Sequence, residues 1–282
     1  MKLRILNLGA GVQSTVLYAM ITDGDLPPID CAIFADVGDE PQAVYDHLQF
    51  LQTIGGPKIK VVRAGENSLG DNLIKGVNST GQRHVSIPTF LAVDGKQSAM
   101  GRRQCTSEYK IKPIEKEIRR MLGIQPGGRL KADDAVVQIF GLSFDEPNRV
   151  SRVKDQYRGR KNWTAEFPLF DDYMTRQDCV AWLAKRFPAV RVPRSACVFC
   201  PYRSDDEWIH LRDTDPQGFQ RAVEIDRAIR METSACTRGM NAEQFLHRSC
   251  QPLELVQLQS SPPDLQKRIP WAAMDCEGMC GV

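Results

Sequence analysis

Two groups of residues in this 282-residue chain have the types and spacing of reactive sites. A glycine loop, residues 9–15 (Gly-Ala-Gly-Val-Gln-Ser-Thr), follows an apolar segment near the start of the sequence. The first backbone amides of a helix have no hydrogen-bond partners within the helix, so a glycine loop between a strand and a helix can bind an anion with these amides. The glycine loop therefore predicts a phosphate-binding site. The second group consists of cysteines, at Cys105, Cys197, Cys200, Cys276 and Cys280. Phosphate and sulfur chemistry together narrow the possible functions.

The spacing of Cys197 and Cys200 lets both sulfurs face one ion from a tight turn. Zinc sites, iron–sulfur clusters and redox dithiols all use this spacing, and buried packing thiols remain a fourth alternative. The chain has nine cysteines in total. In a reducing compartment, an odd number favours ligands, nucleophiles or buried apolar residues over a disulfide framework.

Strand and helix patterns alternate through the first half of the chain. Apolar runs predict strands at residues 3–8, 31–35, 58–62 and 135–142, and helical spacing predicts helices at 15–22 and 43–51. This alternation predicts an α/β fold: an open, mostly parallel twisted sheet with helices on both faces. Because ligands bind outside the carboxyl ends of such strands, we expect the loops at these ends to converge on one site.

Two further segments organise the rest of the sequence. Residues 66–101 are polar, contain several glycines and show no clear period, which predicts an insertion or lid. After residue 161 the pattern becomes helical and includes a capping box that begins at Thr175. We therefore predict a nucleotide-binding α/β domain at 1–161 and a helical, cysteine-bearing C-terminal portion at 162–282.

Composition limits the partners. The 37 basic residues exceed the 35 acidic residues by only two, so neither direct nucleic-acid binding nor membrane attraction is indicated, although residues 149–161 are locally basic. No run approaches the roughly 20 apolar residues that span a bilayer. The sequence begins with Met1 and Lys2 and shows no cleavage signature, which predicts a cytoplasmic location.

The glycine loop resembles the pyrophosphate loop Ser-Gly-Gly-x-Asp-Ser-Thr of the adenine nucleotide alpha hydrolase superfamily, which includes ATP pyrophosphatases and PAPS reductases. Matching positions are Gly11, Ser14 and Thr15, whereas Gly9, Ala10 and Gln13 replace the serine, first glycine and aspartate. Three later segments resemble family motifs in family order. They are residues 36–41 (Asp-Val-Gly-Asp-Glu-Pro), 105–114 (Cys-x4-Lys-x-x-Pro-Ile, as in PAPS reductase-type enzymes) and 141–149 (Gly-Leu-Ser-Phe-Asp-Glu-Pro-Asn-Arg).

The resemblance implies a PAPS reductase-like protein of this superfamily, whose relatives occur in phages, DNA-phosphorothioation loci and CRISPR loci. It implies an adenine nucleotide, ATP with Mg²⁺ or APS/PAPS, as ligand. The implied nucleotide-binding residues are Gly9, Ala10, Gly11, Gln13, Ser14, Thr15, Asp36, Gly38 and Gly141, with Arg149 and Arg152 neutralising phosphate charge. A [4Fe-4S] cluster, with zinc as the alternative, is implied at Cys105, Cys197, Cys200 and Cys276. Residues 275–282 resemble the reductase tail, so Cys280 is expected to be the attacking or redox thiol.

Three functions follow from this resemblance. The first is cleavage of ATP at the α-phosphate, giving AMP and pyrophosphate, to activate a target for sulfur transfer; Ser14 and Thr15 favour it. The second is an APS or PAPS reductase that releases sulfite, favoured by the tail cysteines. The third is a non-catalytic, nucleotide-binding accessory subunit of a defence or mobile-element system, favoured by Gly9 and Gln13. A thiol donor or sulfur acceptor is the expected partner.

Overall fold

The computed structural model of the protein describes residues 2–82, 86–131, 133–230 and 242–260. Within these ranges, five strands form one parallel sheet with the order β3-β2-β1-β6-β7. These strands are β1 (Lys2–Asn7), β2 (Cys31–Ala35), β3 (Ile59–Val62), β6 (Ala135–Phe140) and β7 (Trp163–Glu166). A second, antiparallel sheet contains β4 (Phe90–Val93), β5 (Lys96–Met100) and β8 (Glu243–Phe245). The predicted open α/β sheet is confirmed.

Helices connect and cover the parallel strands. They are α1 (Val12–Asp23), α2 (Gln42–Thr53), α3 (Leu69–Lys75), α4 (Lys112–Met121), α5 (Pro147–Tyr157), α6 (Pro168–Asp171), α7 (Arg176–Arg186), α8 (Asp205–Thr214) and α9 (Pro216–Arg230). A π-helical turn at Ser107–Ile111 leads directly into α4, and a 3₁₀ turn lies at Leu253–Leu255. No helix in the described ranges is both long enough and apolar enough to cross a membrane.

The order in which strands are added to the sheet reverses at β1. From β1 the chain moves outward through β2 to β3, and it later returns to the other side of β1 to add β6 and then β7. The last residues of β1 and β6, Asn7 and Phe140, are register partners. The loops that follow them therefore begin side by side, which is the position where open α/β sheets bind ligands.

Helix α1 lies at the centre of the main core. Residues 12–19 are all buried, and Val16 and Leu17 pack with Leu6 of β1 and Phe34 of β2. Helix α7 packs against α1 and adds Leu183 to this core. Because α1 is covered on nearly every side, its first turn has a fixed position at the end of β1.

The structure refines the predicted organisation in two places. Residues 66–101 contain α3, β4 and β5, and β4 pairs with β8 from the C-terminal part of the chain, so this insertion forms regular structure. Just after residue 161, β7 pairs with β6, so the parallel sheet extends past the predicted boundary. The division into 1–161 and 162–282 stays a prediction.

Candidate functional site

The glycine loop connects β1 to α1 at the reversal point of the sheet. No side chain from the described residues caps the N-terminus of α1 at Gly11. The same is true of α2, α4, α5 and α6, whereas α3, α7 and α8 each begin with a capping box, at Ser68, Thr175 and Ser204. Since the first-turn amides of α1 lack such a cap, they can accept an external anion.

The conformation of the loop is set by Ala10 and Ser14. Ala10 is fully buried and has a φ of 58°, in the left-handed region that L-residues enter only at a cost. The Ser14 hydroxyl accepts a hydrogen bond from the Gly9 amide and donates one to the Gly11 carbonyl, each at 3.2 Å. The loop is therefore closed on itself by one of its own predicted phosphate contacts.

The loop after β6 touches the first turn of α1 through its backbone. A Cβ added to Gly141 would lie 2.9 Å from the amide nitrogen of Ser14, 3.1 Å from its Cα and 3.2 Å from the carbonyl carbon of Gln13. Atoms of the main chain cannot rotate away from such a contact. Position 141 therefore needs glycine, which lets the two loops meet.

Gln13 belongs to a polar network between these loops. Its amide nitrogen donates to Ser143 Oγ at 3.3 Å and to Glu146 Oε2 at 3.2 Å. Its amide oxygen accepts from Arg176 at 2.7 Å. Arg149 forms an ion pair with Glu146. The network fixes the Gln13 side chain and balances the Glu146 carboxylate with Arg149.

The remaining predicted residues of this edge have different surroundings. Arg152 is exposed on α5. Thr15 is fully buried, and its hydroxyl pairs with Nε2 of His47 at 2.9 Å, so its side chain joins α1 to α2. Burial lowers the pKa of His47 to about 4, so the ring is neutral at pH 7. Thr15 reaches the loop through its backbone, whose amide donates to the Gly11 carbonyl.

The acidic loop after β2 is held by its own side chains. The buried Asp36 carboxylate accepts from the Gly38 amide at 2.7 Å, from the Tyr45 hydroxyl at 2.9 Å and from Arg63 Nε at 2.8 Å. Gly38 has a φ of 81°, and a Cβ there would lie 2.7 Å from Cβ of Ser68. Asp36 thus fixes a turn that only glycine fits.

A cleft of about 790 Å³ opens at this turn. Its walls combine acidic and basic groups, and they include Gly38, Asp39, Glu40, Arg63, Ser68 and Arg221. Arg221 is paired with Asp39 at 3.2 Å. The volume suits a small-molecule ligand, and Gly38, one of the predicted nucleotide-binding residues, lines it.

Three predicted ligand cysteines share one cavity. Cys105, Cys197 and Cys200 line it together with the cationic side chains of Arg103 and Lys110. Burial raises the pKa of Cys105, and contact with Cys200 followed by burial raises the pKa of Cys197. Without a metal, these two groups are therefore neutral thiols at pH 7.

The thiol cavity also has a buried ion pair on one side. Lys110 Nζ lies 3.3 Å from Oε1 of Glu40, whose side chain is completely buried. Burial raises the pKa of Glu40, and Lys110 partly offsets this effect. Because Glu40 follows β2 and Lys110 lies in the π-helical turn, the pair joins the acidic loop to the segment that carries Cys105.

Three of the four predicted metal ligands, Cys105, Cys197 and Cys200, lie among the described residues. In the described ranges, no three Cys, His, Asp or Glu side chains are placed to hold one metal ion. Cys276 and Cys280 lie outside the described residues. The cluster, the zinc alternative and the nucleophilic role of Cys280 stay predictions.

The segment 194–200, which we call the thiol segment, contacts two loops of the site. The Val198 amide donates to the Asp39 carbonyl at 2.8 Å, beside the acidic loop. Ser195 faces the glycine loop: a Cβ added to Gly9 would lie 3.6 Å from its hydroxyl oxygen. The thiol segment thus brings Cys197 and Cys200 to the edge of the sheet where the glycine loop lies.

Three residues of this edge, Arg176, Ser195 and Arg203, were not predicted from the sequence. Arg176 stands inside a capping box, which concealed its contact with Gln13. Ser195 and Arg203 flank the Cys-x-x-Cys motif, and no local pattern marks either of them. Their proximity to the loops comes from tertiary packing.

Comparisons with known proteins find a similar solved structure and no matching family. No protein-family model matches the chain, and no curated protein gives a significant match. Among solved structures, the chain is similar to the U34-tRNA thiolase NcsA from Methanococcus maripaludis, a structure that contains a [4Fe-4S] cluster. The two share 16% identity over 84% of this chain and 80% of the other, with a TM-score of 0.36.

Proposed function

We propose that the protein binds ATP with its phosphates on the glycine loop and cleaves it at the α-phosphate, so that a target is activated for sulfur transfer. The observation that carries this proposal is the uncapped N-terminus of α1 at the reversal point of the sheet. There, Gly141 allows backbone-to-backbone contact between the two loops that border the crevice. Such an edge presents amides to an anion.

In this proposal, the loop residues hold and orient the phosphates. The amides of the first turn of α1 bind phosphate oxygens, Ser14 keeps the loop closed, and Gly141 keeps the crevice narrow. Arg149 and Arg176 lie in the Gln13 network next to the loop and would neutralise developing charge. Arg152, exposed on the same helix as Arg149, would meet the outer part of the nucleotide. Mg²⁺ bound with the nucleotide would supply further neutralisation of the phosphate charge.

The thiols form the sulfur part of the proposal. Cys105, Cys197 and Cys200 would hold a [4Fe-4S] cluster, with zinc as the alternative and Cys276 as the fourth ligand. Arg103 and Lys110 line the same cavity as the three thiols and would offset the negative charge of a cluster, although the thiols of the described residues are not placed around one metal position. A cluster would supply electron transfer or an iron that binds sulfur. Cys280 is proposed as the attacking or redox thiol.

One observation favours a second candidate, a non-catalytic nucleotide-binding subunit. At the loop position where the resembled motif has an aspartate, this chain has Gln13, and both ends of its amide are engaged by protein groups. A side chain held in this way can stabilise the loop without taking part in a reaction. Turnover distinguishes this candidate from the first.

The test is calorimetric titration of anaerobically purified protein with ATP, APS and PAPS, followed by product analysis. Preferential binding of ATP with release of AMP and pyrophosphate supports the first proposal. ATP binding without turnover, in the presence and absence of a thiol donor, supports the accessory subunit. Preference for APS or PAPS with release of sulfite identifies a reductase, and absence of binding to all three refutes nucleotide binding.

A further inference from the structure

We infer that Ser195 is a phosphate-binding residue, whose hydroxyl the thiol segment supplies to the glycine loop. This inference rests on the proposed nucleotide site and adds a contact from a distant part of the sequence. It also explains how the glycine loop and the thiols are linked into one site: Ser195, which would contact the phosphate, lies in the thiol segment two residues before Cys197.

The first observation is an unpaired polar atom. Ser195 Oγ is buried and has no hydrogen-bond partner among the described residues. Buried hydroxyls nearly always have a partner, because an unpaired one loses its hydrogen bonds to water without replacement. A bound ligand oxygen would supply the missing partner.

The second observation is where this hydroxyl lies. A Cβ added to Gly9 would be 3.6 Å from Ser195 Oγ and 3.7 Å from Ser14 Oγ. A Cβ added to Gly11 would be only 3.3 Å from Cβ of Ser195. Ser195 therefore occupies the side of the loop where Gly9 and Gly11 have no side chains, and two hydroxyls border the same space.

The third observation is the support of the thiol segment. The buried Arg203 donates to the carbonyl oxygens of Ala196 and Cys197, both at 3.1 Å. On the other side of Ser195, Arg194 forms an ion pair with Glu207 of α8. Because both neighbours of Ser195 are anchored, its hydroxyl is delivered from a rigid segment, as a binding contact requires.

Phosphate entry has a mechanical consequence. Ser195 Oγ is covered by the surrounding chain, so a phosphate oxygen would reach it only with a small separation of the glycine loop from the thiol segment. Gly9 and Gly11 give the loop the backbone freedom for this small displacement. Nucleotide binding is thereby coupled to the position of the segment that carries Cys197 and Cys200.

The experiment compares Ser195→Ala with wild type by calorimetry, using a non-hydrolysable ATP analogue and adenosine. Loss of one hydrogen bond to a charged phosphate should weaken binding of the analogue by about tenfold or more. Adenosine has no phosphate, so its affinity should not change. The thermal midpoint without ligand should stay the same or rise, because the missing hydroxyl had no partner. Ser98→Ala, on the exposed strand β5, is the matched control.

A rescue variant makes the test sharper. Gly9→Ser combined with Ser195→Ala places a hydroxyl on the loop at the position that Ser195 approaches, and it should restore the affinity for the ATP analogue to within about threefold of wild type. Equal affinity of Ser195→Ala and wild type refutes the inference and leaves the proposed function intact. A lower thermal midpoint of unliganded Ser195→Ala assigns the residue a structural role. Wild-type protein that binds no nucleotide removes the proposed function and this inference together.

Discussion

Replacing Gly141 by alanine tests whether the two crevice loops are in backbone contact. The new Cβ would lie 2.9 Å from the Ser14 nitrogen and 3.1 Å from its Cα, and both are main-chain atoms. The loops must separate to remove this overlap. Overpacking of this kind costs about 1–3 kcal/mol, so the free energy of unfolding should fall by about 2 kcal/mol. Displacing the first-turn amides of α1 by part of an ångström should weaken ATP binding by about ten- to a hundredfold.

Urea denaturation and calorimetry measure the two effects on the same samples. Gly9→Ala is the control for stability, because its Cβ would meet only two serine hydroxyl oxygens, at 3.6 and 3.7 Å, and its φ is not in the left-handed region. This control should lose no stability. A Gly141→Ala protein that is as stable as wild type and binds ATP equally well would refute the contact and the narrow crevice derived from it.

Three further predictions concern the buried His47 of α2, Ala10 of the glycine loop and the thiols. His47, with a pKa of about 4 in the folded protein against 6.5 in the unfolded chain, gives stability that is complete above pH 6.5 and is lost as the pH falls, by about 3 kcal/mol at pH 4. Urea titrations across this range should therefore show a shallower decline for His47→Gln than for wild type, and parallel curves would contradict the assignment. Ala10→Val places a β-branched side chain at a φ of 58° in a fully buried position. It should lower the free energy of unfolding, measured by urea denaturation, by about 2 kcal/mol. Ala10→Gly should not lower it. Cys197→Ala should remove iron and acid-labile sulfide from anaerobically purified protein, while Cys179→Ala, which changes a thiol of α7 buried in the main core, should retain them. Wild-type protein with neither iron nor zinc would refute metal binding by Cys105, Cys197 and Cys200.

Much of the parallel sheet could be predicted because strands such as β2 and β6 are mostly apolar, whereas β7, with the sequence Trp-Thr-Ala-Glu, has no such run and was not predicted. All five residues of β2 are buried, and the predicted strand at 31–35 has the same bounds as the observed one. The glycine loop was equally visible, since strand, glycines and helix follow one another within about twenty residues. Local patterns of this kind predict the elements at one edge of the sheet, and right-handed crossovers then bring their loops together.

The antiparallel sheet could not be predicted in this way. All residues of β5 are exposed, so no alternation of apolar and polar side chains marks it. β8 has only three residues and pairs with β4 across a long stretch of sequence. Strands of this type are defined by their pairing partners and not by their own composition. A segment that was expected to be an irregular insertion therefore contains regular structure.

The thiols show the same limit at the functional site. The Cys-x-x-Cys motif determines only that Cys197 and Cys200 share a turn, whose local contact is the 3.0 Å hydrogen bond from the Cys200 amide to the Cys197 carbonyl. The position of that turn depends on Val198, whose amide binds the Asp39 carbonyl, and on Arg203, which holds the preceding carbonyls. The same motif on another surface would have identical local chemistry and no access to a phosphate. Because the thiol segment also contacts the glycine loop, a ligand that moves the loop changes the surroundings of the thiols, and this physical link connects nucleotide binding to sulfur chemistry in the proposed function.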